Sequence, residues 1–125
     1  MDWNFKGDRP IYSQIVETIK IFIISGRLSP GEKLPTVREL AAQAGVNPNT
    51  MQRALAELER LSLVYTSRTS GRFVTGDDEL IKREKQTVAK VKITEFLSQM
   101  ESIGFTKDEI VKILNESNTE RTESI

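Results

Sequence analysis

The sequence predicts a mainly α-helical protein with one small β-hairpin, followed by a short segment of two more helices. Residues 35–61 indicate two helices joined by a tight corner, and residues 63–75 indicate two short strands around a polar turn. After the break at Gly76-Asp77-Asp78, apolar residues recur at helical spacing in two further stretches. Three helices followed by a hairpin make a winged helix-turn-helix, which is the fold class we expect for residues 9–76.

An apolar stripe predicts the first helix, from Pro10 to about Ser25. The stripe consists of Ile11, Ile15, Ile19, Phe22 and Ile23. Gly26 ends the helix, Pro30-Gly31 indicates a turn, and Lys33-Leu34 is a candidate for a very short strand. Ahead of the helix, Trp3 and Phe5 are expected to tuck against the domain or a partner subunit.

Capping residues predict the corner between the second and third helices. Thr36 and Glu39 have the spacing of a capping box, and Gly45 stands where a helix takes a left-handed C-terminal residue. Asn47 is placed to cap the next helix, with Pro48 at its first position, where a missing N–H costs nothing. Two helices joined by a short turn that contains glycine are typical of a helix-turn-helix.

The third helix has an apolar face and a polar face. The face predicted to be buried carries Met51, Ala54, Leu55, Leu58 and Leu61. The opposite face carries Asn49, Gln52, Arg53, Ala56 and Arg60. Asn and Gln can bond adenine bidentately, Arg can bond guanine, and a small residue permits close approach to DNA. The alternative is a solvated face with Arg53 paired to Glu57.

The predicted hairpin has a basic tip that runs from Ser67 to Arg72. Arg68 and Arg72 stand there among small hydroxyl residues, a composition suited to the phosphate backbone or the minor groove of DNA. An ordinary polar hairpin tip is the alternative.

Composition excludes several classes of site. The 125 residues contain no cysteine and no histidine, which removes disulfides, thiolate ligands, cysteine nucleophiles and the commonest general base. No carboxylate pair stands out, so we expect no enzyme, no metal and no cofactor. There is no signal peptide and no apolar run long enough to span a membrane, so the sequence predicts a cytoplasmic protein.

Residues 77–125 are predicted to form two helices that mediate dimerisation, with the last residues frayed. The predicted interface residues are Val88, Val91, Phe96, Leu97, Met100, Ile110 and Leu114. Thr106 and Glu109 form a second capping box that begins the last helix. Two helices this small cannot bury an apolar face alone, and a homodimer suits a protein that reads two half-sites.

Over residues 9–75 the chain resembles the GntR family of bacterial transcription regulators. The residues that carry the resemblance are Pro10-Ile11-Tyr12, Gln14-Ile15, Ser25-Gly26, Leu28, Pro30-Gly31-Glu32-Lys33-Leu34-Pro35, Arg38-Glu39-Leu40-Ala41, Gly45-Val46-Asn47, Asn49-Thr50, Arg53-Ala54, Leu58-Glu59, Gly71 and Phe73-Val74. The short C-terminal segment and residues 46–50 resemble the YtrA-type subfamily. The resemblance implies a winged helix-turn-helix that binds double-stranded operator DNA as a dimer, usually as a repressor.

The resemblance also implies which residues contact DNA. Together with the polar face and the hairpin tip, it gives the set Thr36, Arg38, Asn47, Asn49, Thr50, Gln52, Arg53, Arg68, Ser70, Gly71 and Arg72. Two departures from the family pattern stand out. Pro48 replaces an arginine that reads guanine in many relatives, and Thr69-Ser70-Gly71-Arg72 replaces the usual Gly-x-Gly-Thr. Arg72 therefore either contacts DNA or only begins a strand.

Two questions stay open from the sequence. The chain is either a sequence-specific regulator or a winged-helix module for protein assembly that binds DNA without sequence preference. A small effector, if the protein has one, is expected in a cleft between the tail helices and the winged domain.

Overall fold

The computed structural model describes the backbone of residues 1–123 and the side chains of residues 1–117. Its elements in chain order are α1 (Ile11–Ile24), α2 (Val37–Ala44), α3 (Pro48–Arg60), β1 (Val64–Ser67), β2 (Gly71–Val74), α4 (Asp78–Ser102) and α5 (Lys107–Glu123). The predicted fold class, a winged helix-turn-helix followed by two helices, is confirmed. The chain forms two compact units, residues 1–85 and 86–125.

The core of the first unit lies between α1, α3 and the hairpin. Its fully enclosed side chains include Ile15, Ile19, Ile23, Leu40, Met51, Leu55, Leu58, Leu63 and Val74. Helix α1 contributes the isoleucines of the predicted stripe, although Ile11 at its first turn is exposed. On α3 the predicted apolar face is buried except Leu61, which is half-buried because the helix ends at Arg60.

The corner between α2 and α3 has the predicted capping chemistry. The Thr36 hydroxyl accepts a hydrogen bond from the Glu39 N–H at 3.2 Å, and the Glu39 carboxylate accepts one from the Thr36 N–H at 3.4 Å. Gly45 has a φ of 69°, the left-handed conformation that favours glycine. The Asn47 side chain accepts from the Asn49 N–H at 2.7 Å, which fixes the start of α3.

The β-hairpin is tied along its base to the segment that precedes α2. The strands pair antiparallel with Val64 opposite Val74 and Thr66 opposite Arg72. The candidate strand at Lys33-Leu34 is present as one bridge between Lys33 and Phe73, and the Leu34 N–H donates to the Arg72 carbonyl at 2.9 Å. These bonds hold the hairpin, which we call the wing, beside the start of α2.

The N-terminal arm packs on the first unit, as we expected for Trp3 and Phe5. The two rings stack with centroids 6.1 Å apart and lie against the core. Gln14, which is buried, donates from its amide nitrogen to the carbonyls of Lys6 and Arg9 and accepts from the Lys6 N–H. A buried amide that satisfies three backbone groups fixes the path of the arm onto α1.

The first turns of helix α4 belong to the unit formed by residues 1–85. Leu80 and Ile81, four and five residues beyond residue 76, pack against the core of that unit. No helix within residues 1–123 is long and apolar enough to cross a lipid bilayer.

The second unit exposes most of its apolar residues. Gly104, with a φ of 100°, separates α4 from α5, and the capping box of Thr106 and Glu109 begins α5 as predicted. Helix α5 continues past Asn115 to Glu123. The expected fraying of the last residues concerns residues 124–125 and the side chains from residue 118 onward, which lie outside the described part of the chain.

Candidate nucleic-acid interface

The outward face of α3 presents amide side chains to solvent. Asn49 and Gln52 are exposed, Thr50 is half-buried, and Ala56 is an exposed small residue on the same side of the helix. Within residues 1–117, no protein group forms a hydrogen bond with the side-chain amide of Asn49 or Gln52. Both amides are therefore available to bond a base edge, which requires one donor and one acceptor in the same plane.

Arg53 is positioned by an aromatic ring. Its guanidinium carbon lies 3.7 Å from the centroid of the Tyr12 ring at the start of α1. The alternative pairing with Glu57 is not formed, because Glu57 binds Arg60 at 2.6 Å instead. Stacking occupies the face of a guanidinium, while its N–H groups point outward in the plane, so Arg53 is both held in place and able to donate.

Thr36 and Arg38 lie at the start of α2 and differ in their hydrogen bonds. Arg38 is exposed, and no carboxylate pairs with it among the side chains of residues 1–117. The Thr36 hydroxyl donates to the Glu39 carboxylate at 2.9 Å while it accepts from the Glu39 N–H. The Thr36 hydroxyl and backbone N–H therefore both donate to Glu39 within the capping box, so Thr36 has no free donor for a phosphate oxygen.

The two arginines of the wing have different environments. Arg68 is exposed near the tip, together with Ser70 and Gly71. Arg72 is only 19% exposed and donates from Nε to the Glu59 carboxylate at 2.9 Å. The same carboxylate oxygen accepts from the Thr66 hydroxyl, and Thr66 stands opposite Arg72 in the strand register. Glu59 thus joins α3 to both strands of the wing.

Hydrogen bonds keep both glutamates in the last turns of α3 ionised. The Arg60 side chain lowers the pKa of Glu57. The Thr66 hydroxyl and, after it, the Arg72 guanidinium lower the pKa of Glu59 against the opposing effect of burial. Each negative charge therefore has a bound arginine beside it, which limits the repulsion that these carboxylates would exert on an approaching phosphate.

Five of the eleven predicted contact residues lie at the start of α3. Asn47 is its N-cap, and Asn49, Thr50, Gln52 and Arg53 lie in its first two turns. The sequence did not identify Tyr12 and Glu59, which hold Arg53 and Arg72 in place. Helical periodicity could not find them, because each acts on a residue of another element. Among the described residues, no cluster of three or more acidic side chains could hold a metal ion.

The predicted dimerisation residues differ in exposure within the single chain. Val91, Phe96 and Leu114 are 51%, 40% and 52% exposed, and Val88, Leu97 and Met100 are half-buried. Ile110 is 1% exposed and is therefore already enclosed in the single chain. Exposed apolar residues that we did not predict for this surface are Ile93, Ile103, Val111 and Ile113.

Comparison with known proteins adds the family context. The family described as "Bacterial regulatory proteins, gntR family" matches residues 11–74. The HTH-type transcriptional repressor YtrA of Bacillus subtilis is 35% identical over 98 residues, which are 78% of this chain and 71% of that protein.

Two solved structures are similar as well. A GntR family transcriptional regulator from Listeria monocytogenes has a TM-score of 0.83 at 39% identity and covers 90% of this chain and 98% of its own. The structure of AraR(DBD) in complex with operator ORX1 has a TM-score of 0.55 at 32% identity, over 60% of this chain and 96% of its own.

The bond between Glu59 and the wing predicts a pH-dependent contribution to stability. Because the pKa of Glu59 is lowered in the folded chain, its contribution is present at neutral pH and is lost as the pH falls through that lowered pKa. Glu59→Gln should lower the free energy of unfolding at pH 7 by no more than about 1 kcal/mol, since the pair is partly exposed. Urea unfolding of both proteins at a series of pH values measures the difference.

The difference in the free energy of unfolding between the wild type and Glu59→Gln should shrink toward zero as the pH falls. Glu95→Gln, an exposed glutamate on α4, is the matched control and should leave stability unchanged. A difference for Glu59→Gln that stays constant between about pH 3 and pH 7 would contradict an electrostatic role for this carboxylate.

Proposed function

The chain belongs to the GntR family of bacterial regulatory proteins, and from that premise we propose that it is a repressor that binds an inverted-repeat operator as a homodimer. The observation that carries the proposal is the outward face of α3, where the amides of Asn49 and Gln52 have no protein partner within the described side chains. The operator complex of AraR(DBD) supports it, because that domain shares the fold of the first unit.

In the proposed complex, α3 lies in the major groove of double-stranded DNA with its N-terminal turns against the bases. Asn49 and Gln52 each offer the donor and acceptor pair that matches adenine. Pro48 carries no hydrogen-bonding side chain, so it cannot read guanine at the position where many relatives have arginine. We therefore expect the half-site to be read mainly through adenine, with Arg38 as the candidate for a guanine contact.

Four of the remaining predicted residues, Asn47, Arg53, Arg68 and Ser70, suit contacts with the phosphate backbone. Arg53 is held on Tyr12 at the edge of α3, and a shallow depression beside it is lined by Pro10, Asn49 and Thr50. The Asn47 side-chain oxygen caps α3, which leaves its amide nitrogen as a donor. Arg68 and Ser70 extend from the wing. Such contacts fix the position of the protein on DNA without reading sequence.

A second copy of the chain is the proposed partner for the exposed apolar residues of α4 and α5. Val91, Phe96 and Leu114 are each at least 40% exposed in the single chain, although apolar side chains of this size gain roughly 1.5–3 kcal/mol when they are fully buried. A two-fold dimer would also place two copies of α3 on two half-sites, which matches an inverted repeat.

Selection of bound sequences from random duplex DNA at about 150 mM salt tests the proposal directly. We expect enrichment of an inverted repeat whose half-sites are separated by a whole number of helical turns. Binding that shows no enrichment and weakens uniformly as salt rises would contradict the proposal and would favour an assembly module with non-specific DNA binding.

Arg38→Ala should weaken binding to the selected operator by about 1–3 kcal/mol and relax the preference at one base pair, because Arg38 is exposed and unpaired among the described side chains. Arg27→Ala is the matched control and should leave operator binding unchanged. Arg27 follows the C-terminal end of α1, a helix about 21 Å long, and stacks on Phe22. Fluorescence anisotropy with operator and mutated-operator duplexes measures both effects. Unchanged operator binding by Arg38→Ala would show that the assigned docking is wrong.

Phe96→Asp tests the dimer. An unpaired charge buried in an apolar interface costs several kcal/mol, so we expect the dimer to dissociate on the order of 100-fold more readily. Sedimentation equilibrium measures the effect, and the helical content measured by circular dichroism should not change. Thr94→Asp, a polar and exposed position on the same helix, is the control and should leave the dimer intact. If Phe96→Asp dimerises like the wild type, the interface lies elsewhere.

A further inference from the structure

A groove lies between the wing and the segment that leads into α2. Its volume is about 470 Å³. Its lining combines four hydroxyl-bearing residues, Thr36, Thr66, Thr69 and Ser70, with three apolar ones, Leu34, Pro35 and Val37. Lys33 and Arg72 are its two cationic residues. The groove therefore separates two regions of the proposed DNA-binding surface, the start of α2 and the tip of the wing.

The two cations of the groove differ in how their charge is balanced. Arg72 is bound to Glu59 at 2.9 Å and is mostly buried, so its charge is compensated within the protein. Lys33 is exposed, and no carboxylate or carbonyl pairs with its ammonium among the described side chains. Among the described side chains, Lys33 is thus the one uncompensated cation of the groove. Two of the four hydroxyls, those of Thr36 and Thr66, already donate to glutamates.

Backbone bonds and a glycine together position the Lys33 side chain. The bridge to Phe73 and the bond from the Leu34 N–H to the Arg72 carbonyl fix its backbone beside β2. Its Cε atom lies 3.3 Å from the point that a Cβ on Gly71 would occupy. The absence of a side chain at Gly71 thus leaves space for the lysine stem to pass over the wing.

We propose that Lys33 binds a backbone phosphate of the operator in this groove, beside the Thr69 and Ser70 hydroxyls. These two hydroxyls share one hydrogen bond at 3.4 Å, which leaves one of the two as a neutral donor. An ammonium is a compact charge with three donors and binds phosphate well without fixed orientation, and hydroxyls commonly complete such contacts. The inference rests on the proposed DNA-binding function and adds a contact that was absent from the predicted set. Lys33 supplies affinity and its salt dependence, whereas Asn49 and Gln52 supply sequence preference.

Lys33→Gln tests the contact through the salt dependence of binding. Each neutralised phosphate contributes about 0.9 to the slope of log affinity against log salt, so the variant should have a slope shallower by about 0.9 for each bound protomer. Between about 50 and 200 mM salt, the wild type should then lose roughly 3.5-fold more affinity than the variant for each bound protomer. Anisotropy titrations with the operator and with a random duplex should show the same change in slope on both.

Two further variants separate charge from structure. Lys33→Arg keeps the charge and should retain the wild-type slope. Lys82→Gln removes an exposed lysine of α4 and should leave the slope unchanged, as a control for net charge.

The outcomes distinguish this contact from the proposed function. If the wild type prefers its operator but Lys33→Gln keeps the wild-type slope, the contact is wrong and the function stands. If the wild type binds all duplexes equally and Lys33→Gln has the shallower slope, the function as a sequence-specific regulator is wrong and the contact stands. A wild type that binds no duplex would overturn both.

Discussion

The burial of one face of α3 is the constraint on which the rest of the first unit depends. Met51, Leu55 and Leu58 are fully enclosed, so the helix cannot rotate without exposing apolar surface to water. This burial fixes the direction of the polar face that carries Asn49 and Gln52. The Leu63 N–H donates to the Leu58 carbonyl at 3.0 Å, so the chain leaves the buried helix directly into β1. The recognition surface and the root of the wing are therefore set by the same packing.

Within the described side chains, the arginines around α3 fall into two groups: those that are bound to a glutamate and those that are not. Arg60 is bound to Glu57 within α3, and Arg72 is bound to Glu59, which joins α3 to the wing. Arg38 and Arg68 are exposed, and Arg53 is held by the Tyr12 ring. A zero net charge for the whole chain thus conceals a surface on which specific cations remain available for an anionic partner.

The second unit differs from the first, because its helices carry apolar residues but bury few of them. The helices carry apolar side chains at helical spacing, yet Val91, Ile103 and Leu114 are about half exposed or more. Only Ile110 is enclosed among the large apolar residues of the described part of this unit. The proposed dimer would cover this exposed apolar surface with a second copy of the chain.

The sequence by itself determined the elements and their ends, because these depend on local chemistry. Capping by Thr36, Glu39 and Asn47, the left-handed Gly45 and the periodicity of α3 act over a few residues and are visible in the order of residue types. The predicted DNA-contact set on α3 is accessible for the same reason, since a buried face implies the opposite exposed face.

Only the tertiary structure decided which side chains bind residues that are distant in the sequence. Arg72 and Glu59 are thirteen residues apart, and the sequence left the role of Arg72 open between a DNA contact and the start of a strand. The stacking of Arg53 on Tyr12 and the passage of the Lys33 side chain over Gly71 depend equally on how the elements pack. Local residue patterns fix the turns and the exposed faces, whereas pairing between charges depends on distances that exist only after the chain has folded.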